Sequence, residues 1–189
     1  MITDRPPRNK ALIEEFHASD RLLTLEVPAD DRLRRPAKSI EAALKADRRS
    51  ELKAACTEFL RRAADFHSVP TPGIQVLTAR PIRVREGRWA TELFGDYAPA
   101  TGMIRNWMRT AVRKEVTSFG TFLSTLCHEF CHHLDFQRYE FTGSYHTRGF
   151  YQRAGMLYHH ARGTPPKRLY WIKVPGRRWR IDWPRTNRG

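Results

Sequence analysis

The sequence predicts an α+β fold in which helices surround a small, mostly antiparallel sheet. Apolar residues recur at three- and four-residue spacing before the segment VPTPG (69–73) and again from Thr121, which predicts helices at both ends. Between them, short β-rich runs separated by turn residues predict strands. The 189 residues are enough for one domain with a sizeable core.

The N-terminal part, 1–49, is predicted to be a charged helical segment. An apolar-periodic stretch from Leu12 to Leu25 predicts a short helix, and Pro28 interrupts its pattern. A second helical region is expected to open at Pro36 and Ser39. One buried face of this region is formed by Leu52, Ala55, Cys56, Phe59, Ala63 and Phe66.

The middle of the chain is predicted to form the sheet. The runs IQVLTA (74–79) and PIRVRE (81–86) indicate strands, with a turn at Glu86-Gly87, and RWATELFGDY (88–97) follows. The stretch 102–112 partly alternates and predicts a further strand. If that strand lies at an edge, it could bind the backbone of a peptide as an added strand.

Helical spacing returns at Thr121, where an apolar stripe runs to HLDF (133–136). A second helix is predicted over 146–163, ended by Gly163 and the prolines that follow. Residues 50–162 thus read as the central domain, and 163–189 as a basic, aromatic-rich tail. Its alternating residues suit a pair of strands around Pro175-Gly176.

The overall charge indicates a polyanionic partner or a generally cationic surface. Lys and Arg outnumber Asp and Glu by 34 to 20, a net charge of +14. The first residues contain no apolar leader, and no run is long enough to span a bilayer. Three cysteines fit a reducing compartment better than a disulfide framework. We therefore expect a cytoplasmic monomer that does not associate with membranes.

The stretch CHEFCHH (127–133) contains the pattern H-E-x-x-H on a predicted helix. His128 and His132 are four residues apart, so their imidazoles leave the same helix face and can bind one zinc ion. Glu129 lies about 100° around the helix, where it reaches a water on the ion rather than the ion itself. The pattern predicts two zinc ligands and a general base.

The neighbours of the motif receive other roles. Cys127 and Cys131 form a parallel stripe about 100° around the helix from the histidines. They could be a metal-binding or redox pair, but we favour the interpretation that they are buried packing residues. His133 points off the ligand face, toward the surface or behind the ligands. Asp135 returns to the ligand face and is a candidate to orient an imidazole N–H.

A catalytic zinc ion needs a third protein ligand and one open position. Glu140, His146, His159 and His160 all follow the motif and are candidates. His146 opens the next helix, 14 residues after His132, within reach of a returning loop. The residues alone leave the choice open.

The segments TLCHEFCHHLDF and GSYHTRGFYQRAGML resemble the SprT-like zinc metallopeptidases, over about residues 50–162. In that family a third His follows in a segment H-G-x-x-[FW], which here reads HTRGF (146–150), with Thr147 in place of the glycine. The resemblance implies a zincin-like catalytic domain with one zinc ion on His128, His132 and His146. It also implies that Glu129 is the catalytic base.

The resemblance implies a zinc-dependent endopeptidase acting on a protein or peptide substrate. Tyr145, Tyr151 and Arg153 are candidates to stabilise the oxyanion, because they are near the third His in sequence. Two alternatives remain: a basic nucleic-acid-binding protein with a structural zinc, and another type of zinc hydrolase. A structural site would need four protein ligands and would give Glu129 no task.

The tail could bind DNA, because aromatic side chains in a cationic groove suit single strands. From Arg162 to Gly189 there are nine Lys and Arg and one acid, Asp182. SprT-like relatives include proteases of DNA-bound proteins, which makes DNA a partner by resemblance. The alternative is a hairpin whose tryptophans pack on the catalytic domain. The candidate nucleic-acid contacts are Trp171, Lys173, Arg177, Arg178, Trp179 and Arg180.

Overall fold

A computed structural model describes residues 1–85 and 89–188, with the side chains of residues 83–90 outside the description. The turn predicted at Glu86-Gly87 lies outside the described residues. The helices are α1 (Lys10–Arg21), α2 (Arg34–Lys45), α3 (Arg49–His67), α4 (Phe119–Gln137), α5 (Arg148–Arg162) and the short α6 (Trp183–Thr186). The strands are β1 (Gly73–Ala79), β2 (Ile82–Arg85), β3 (Trp89–Glu92), β4 (Gly95–Ala98), β5 (Met103–Arg109), β6 (Trp171–Val174) and β7 (Arg178–Ile181). The fold is therefore α+β, as predicted.

The two helices nearest the HExxH motif have clear local start signals. The Ser118 hydroxyl accepts the N–H of Thr121 at the start of α4, and the Thr147 hydroxyl accepts the N–H of Phe150 at the start of α5. Gly163 ends α5 in the left-handed conformation, with φ of 74°, which costs a glycine little. Helix α4 therefore begins two residues before the predicted Thr121, and α5 begins two residues after His146, where its prediction started.

The N-terminal helical region differs from the prediction in its boundaries. The first helix begins and ends earlier than the Leu12–Leu25 stretch, at Lys10 and Arg21. The second region is two helices, because Asp47 adopts a left-handed φ of 54° and interrupts the chain between α2 and α3. Pro36 lies in the first turn of α2, where backbone N–H groups have no acceptor within the helix, so the N–H that proline lacks is not needed there.

The central sheet is mixed rather than mostly antiparallel. Its order is β1-β5-β4, with β5 parallel to β1 and antiparallel to β4. The strand predicted within 102–112 is thus β5, and it is central, so the suggestion that it offers a free edge was wrong. Among the described strands, β1 and β4 are at the two edges of this sheet.

Helix α4 runs through the middle of the molecule. It packs against β4 and β5 on one side and against α5 and α2 on the other. A single core cluster extends from Leu25 to Ala161 and takes residues from α2, α3, α4, α5 and the sheet. The HExxH motif is therefore carried by the most enclosed helix of the fold.

The two ends of the described chain meet. Strands β6 and β7 form the predicted hairpin, in register Trp171↔Ile181. Residues 1–4 lie antiparallel to β7 and join it through a single bridge between Ile2 and Arg180: the N–H of Thr3 donates to Trp179 O (2.8 Å), and the N–H of Ile181 donates to Met1 O (3.2 Å). We call residues 1–4 the N-terminal strand. In the described part of the chain, no helix has the length and apolar character needed to cross a membrane.

Candidate metal centre

Three imidazoles meet at the surface of α4. The Nε2 atoms of His128, His132 and His146 form a nearly equilateral triangle with sides of 3.0, 3.1 and 3.2 Å. His128 and His132 come from successive turns of α4, and His146 comes from the loop before α5. These three side chains lie close enough to bind one metal ion.

The donor set fits a small divalent cation. Nitrogens bound to zinc at about 2.0–2.1 Å with tetrahedral angles lie roughly 3.3–3.4 Å apart, a few tenths of an ångström more than here. Burial lowers the pKa of His128 to about 3 and also lowers that of His132 well below its ordinary value. Both rings are therefore neutral at pH 7, the state in which an imidazole is a ligand.

His132 is oriented through a serine. Its Nδ1 donates to the hydroxyl of Ser144 (2.7 Å), and that hydroxyl donates to Asp135 (3.1 Å). The proton on Nδ1 leaves the Nε2 lone pair free for a metal ion. Asp135, the candidate for orienting an imidazole, thus lies one hydrogen bond further back than a direct contact with a ligand.

His146 is oriented by an aspartate near the N-terminus. Oδ2 of Asp4 accepts both the backbone N–H of His146 (2.9 Å) and its Nδ1–H (3.1 Å). The N–H of Asp4 in turn donates to the carbonyl of His146 (3.0 Å). Asp4 lies 142 residues from His146 in sequence, and no local pattern links the two.

The loop that carries His146 is held mainly by α1. Glu15 accepts hydrogen bonds from the Thr142 hydroxyl (3.0 Å) and the N–H of Gly143 (3.3 Å). Asp20 accepts the N–H of Arg148 (2.9 Å) and pairs with its guanidinium. These contacts fix the loop on both sides of His146.

Glu129 is buried beside the triad. It is 5% exposed and lies under β4, where a Cβ added to Gly95 would be 3.0 Å from its Oε1. Burial, with a smaller contribution from Asp96, raises the pKa of Glu129 to about 8. A divalent cation nearby favours the carboxylate and pulls that pKa down again. The group can therefore hold or release a proton near neutral pH, as a general base must.

The triad and Glu129 line a cleft of about 1550 Å³. Its lining includes β4 and the chain before it, and also α5 and the segment leading into β6. Phe94 and Trp183 line the same cleft and are 41% and 42% exposed. The cleft is large enough for an extended peptide, and its volume exceeds that of typical small-ligand sites.

Of the three oxyanion candidates, the structure brings one to the cleft. The ring of Tyr151 stacks on His146 (5.7 Å between centroids), and its hydroxyl donates to Ile2 O (3.1 Å). The expectation for Arg153 was wrong: it is 1% exposed and pairs with Asp135 (2.7 Å) behind the ligands. Tyr145 was also misplaced, because its ring packs against Phe16 (5.6 Å) and is not part of the cleft wall.

The thiols and His133 take structural positions. Cys127 and Cys131 are 0% and 1% exposed, and burial raises the pKa of Cys131 to about 12. Both are members of the core cluster, which agrees with the packing interpretation. His133 is not at the surface: it is 2% exposed and joins α4 to Tyr97 Oη (3.0 Å) and to Pro70 O (2.7 Å).

The candidate residues of the C-terminal hairpin differ in their exposure. Trp171 packs against Tyr151 (6.0 Å between centroids), and Trp179 lies under the guanidinium of Arg148 (4.6 Å). The tryptophans therefore pack on Tyr151 and Arg148 of α5, while Lys173, Arg177 and Arg180 are exposed and Arg178 is partly buried.

Comparison with protein-family models, curated proteins and solved structures gave no match for this chain.

Proposed function

We propose that this protein is a zinc-dependent metalloendopeptidase. The observation that carries the proposal is the triangle of His128, His132 and His146 Nε2 atoms, with the buried Glu129 beside it in an open cleft. Three nitrogen ligands and a neighbouring carboxylate are the set used by zinc hydrolases. The resemblance to the SprT-like metallopeptidases supports peptides as the substrate class.

The zinc ion would activate a water molecule and polarise the scissile carbonyl. Glu129 would accept the proton of that water and deliver it to the leaving amine. Its position under β4 excludes bulk solvent from one side of the carboxylate. Tyr151 is the oxyanion candidate that remains, since its ring already lies against a ligand.

The substrate would bind along β4. The N–H of Trp107 donates to Phe94 O (3.2 Å), and antiparallel pairing alternates between bonded and non-bonded pairs. Gly95 and Tyr97 therefore turn their backbone N–H and C=O groups away from β5. Those groups are available to pair with an extended peptide, beside the cleft that contains Glu129.

The alternative is a basic nucleic-acid-binding protein with a structural zinc. A structural site is closed by a fourth side chain, whereas the group found among the described residues contains three. Exposed Lys173, Arg177 and Arg180 on the hairpin support DNA as a partner of the same protein, alongside catalysis.

The test compares the parent with Glu129→Gln, and with Glu115→Gln as a matched control on an exposed acid outside the cleft. Casein and a basic protein are the substrates, with and without single-stranded DNA. We expect one zinc per chain in all three proteins. Cleavage should fall by about 10²–10⁴-fold in Glu129→Gln only. A Glu129→Gln protein that cleaves as well as the parent excludes the mechanism, and sulfur ligands in the zinc absorption edge favour the structural alternative.

A further inference from the structure

We propose that the C-terminal hairpin and the N-terminal strand act as one unit that sets the metal affinity of the site, through Asp4. The inference rests on the metal-binding part of the proposed function, and not on proteolysis. It makes Asp4 a positioning residue for His146, and it makes the docking of both chain ends energetically coupled to metal binding.

The first step is the contact between Asp4 and His146. One carboxylate oxygen accepts two N–H groups of His146, and the backbone returns a third hydrogen bond. The side-chain bond fixes which ring nitrogen carries the proton and makes Nε2 a better donor to a metal ion. The two backbone bonds fix the position of the loop that carries the ring.

The second step is that the N-terminal strand is held by β7. The N–H of Trp179 donates to the Thr3 hydroxyl, and the N–H of Thr3 donates to Trp179 O, both at 2.8 Å. Thr3 is 3% exposed, so this pair of bonds is shielded from water. Asp4 is the next residue, and its position follows from this pairing.

The third step is that the same strand contacts the cleft. The Tyr151 hydroxyl donates to Ile2 O (3.1 Å), and Trp171 of β6 packs on the Tyr151 ring. The hairpin therefore touches the site by two routes, through Asp4 and through Tyr151. Undocking the hairpin would release both contacts together.

Linkage makes the coupling reciprocal. If docking of the terminal strands raises affinity for zinc, then zinc must stabilise the docking by the same factor. Metal binding should therefore slow hydrogen exchange at four backbone amides. Those of Thr3, Trp179 and Ile181 donate within this unit, and that of Asp4 donates to the carbonyl of His146.

The experiment measures Zn²⁺ affinity by competition with a fluorescent chelator in the full-length chain. The variants are Asp4→Asn, Asp4→Ala and Thr3→Val, with Asp65→Asn as a matched control on an exposed face of α3. We expect the Kd for Zn²⁺ to rise about 10-fold for Asp4→Asn and about 100-fold for Asp4→Ala. Thr3→Val should raise it by less, and adding it to Asp4→Ala should change little further.

Two readouts separate positioning from a loss of structure. The thermal unfolding of the two Asp4 variants without added metal should stay close to that of the parent, and the visible spectrum of bound Co²⁺ should change for these variants and not for Asp65→Asn. Thr3→Val leaves the N–H of Trp179 without its buried acceptor, so we expect that variant to unfold at a lower temperature. If Asp4→Ala and Asp65→Asn bind Zn²⁺ equally, or if Zn²⁺ leaves exchange at the four amides unchanged, the inference is wrong. If the affinity for Zn²⁺ depends on Asp4 as expected but the parent cleaves no substrate, the proposed function alone is overturned.

Discussion

Two glycines of α5 should respond in opposite directions to the same substitution. A Cβ at Gly149 would overlap the carbonyl oxygen of Ser19 and lie 2.6 Å from that of Leu22, inside the 3.0 Å below which such contacts do not occur. A Cβ at Gly155 would meet no atom within 4 Å. Gly149→Ala therefore forces α1 away from α5, whereas Gly155→Ala only adds a better helix former.

The size of each effect follows from the contacts involved. Movement of α1 would strain the buried bonds from Arg153 to Leu22 O (2.8 Å) and between Ser19 and Thr147 (2.9 Å). Buried bonds left unmade cost about 1–3 kcal/mol each, so we expect Gly149→Ala to destabilise by about 3 kcal/mol or more. Gly155→Ala should stabilise by about 0.5–1 kcal/mol.

The assay is urea unfolding of the parent and both variants under one set of conditions, followed by circular dichroism. The two free energies of unfolding should differ by about 4 kcal/mol. Values for the two variants within about 0.5 kcal/mol of each other would refute the close packing of α1 on α5.

Two further predictions concern the site and the core. Gly95→Ala would place a methyl group 2.5 Å from Thr125 Cγ2 and 3.0 Å from Glu129. Peptide cleavage should therefore fall more than tenfold while the Zn²⁺ content is kept. Unchanged cleavage would contradict the placement of β4 over Glu129. Burial lowers the pKa of His67 to about 4, below its unfolded value of about 6.5. The stability contributed by the neutral ring is therefore fully present above pH 6.5 and is lost as the pH falls toward 4. Between pH 7 and 5, the free energy of unfolding should therefore fall by about 2 kcal/mol more in the parent than in His67→Gln. Equal losses in the two proteins would show that His67 does not cause this pH dependence.

The parts of the site that the sequence predicts are those set by local spacing. His128, Glu129 and His132 follow from the geometry of one helix, and the apolar stripe places that helix in the core. The hairpin follows from its own turn at Pro175-Gly176. In each case the partners are within a few residues, so a periodic pattern records them.

Other features have no local signal. Strands β1 and β5 pair in parallel although β2, β3 and β4 lie between them in the sequence. The residue pattern of a strand does not tell which other strand becomes its neighbour. Ser144 and Asp4 look like an ordinary loop serine and an ordinary exposed acid until the fold brings them to the ligands. The error at Arg153 has the same cause, because nearness in sequence to His146 did not reveal that α5 turns this side chain into the core.

The N-terminal segment holds the loop that carries His146, the third histidine of the triad. His146 lies in a connection without regular structure, between Arg138 and Thr147, and ordering such a segment costs about 1–2 kcal/mol per residue. If the segment became ordered only when a metal ion bound, this free-energy cost would reduce the free energy of metal binding. Asp4, Glu15 and Asp20 tie the loop down beforehand, at His146 itself and on either side of it. The segment before residue 50, which in sequence reads as a charged appendage, thus helps to hold His146 beside the other two histidines.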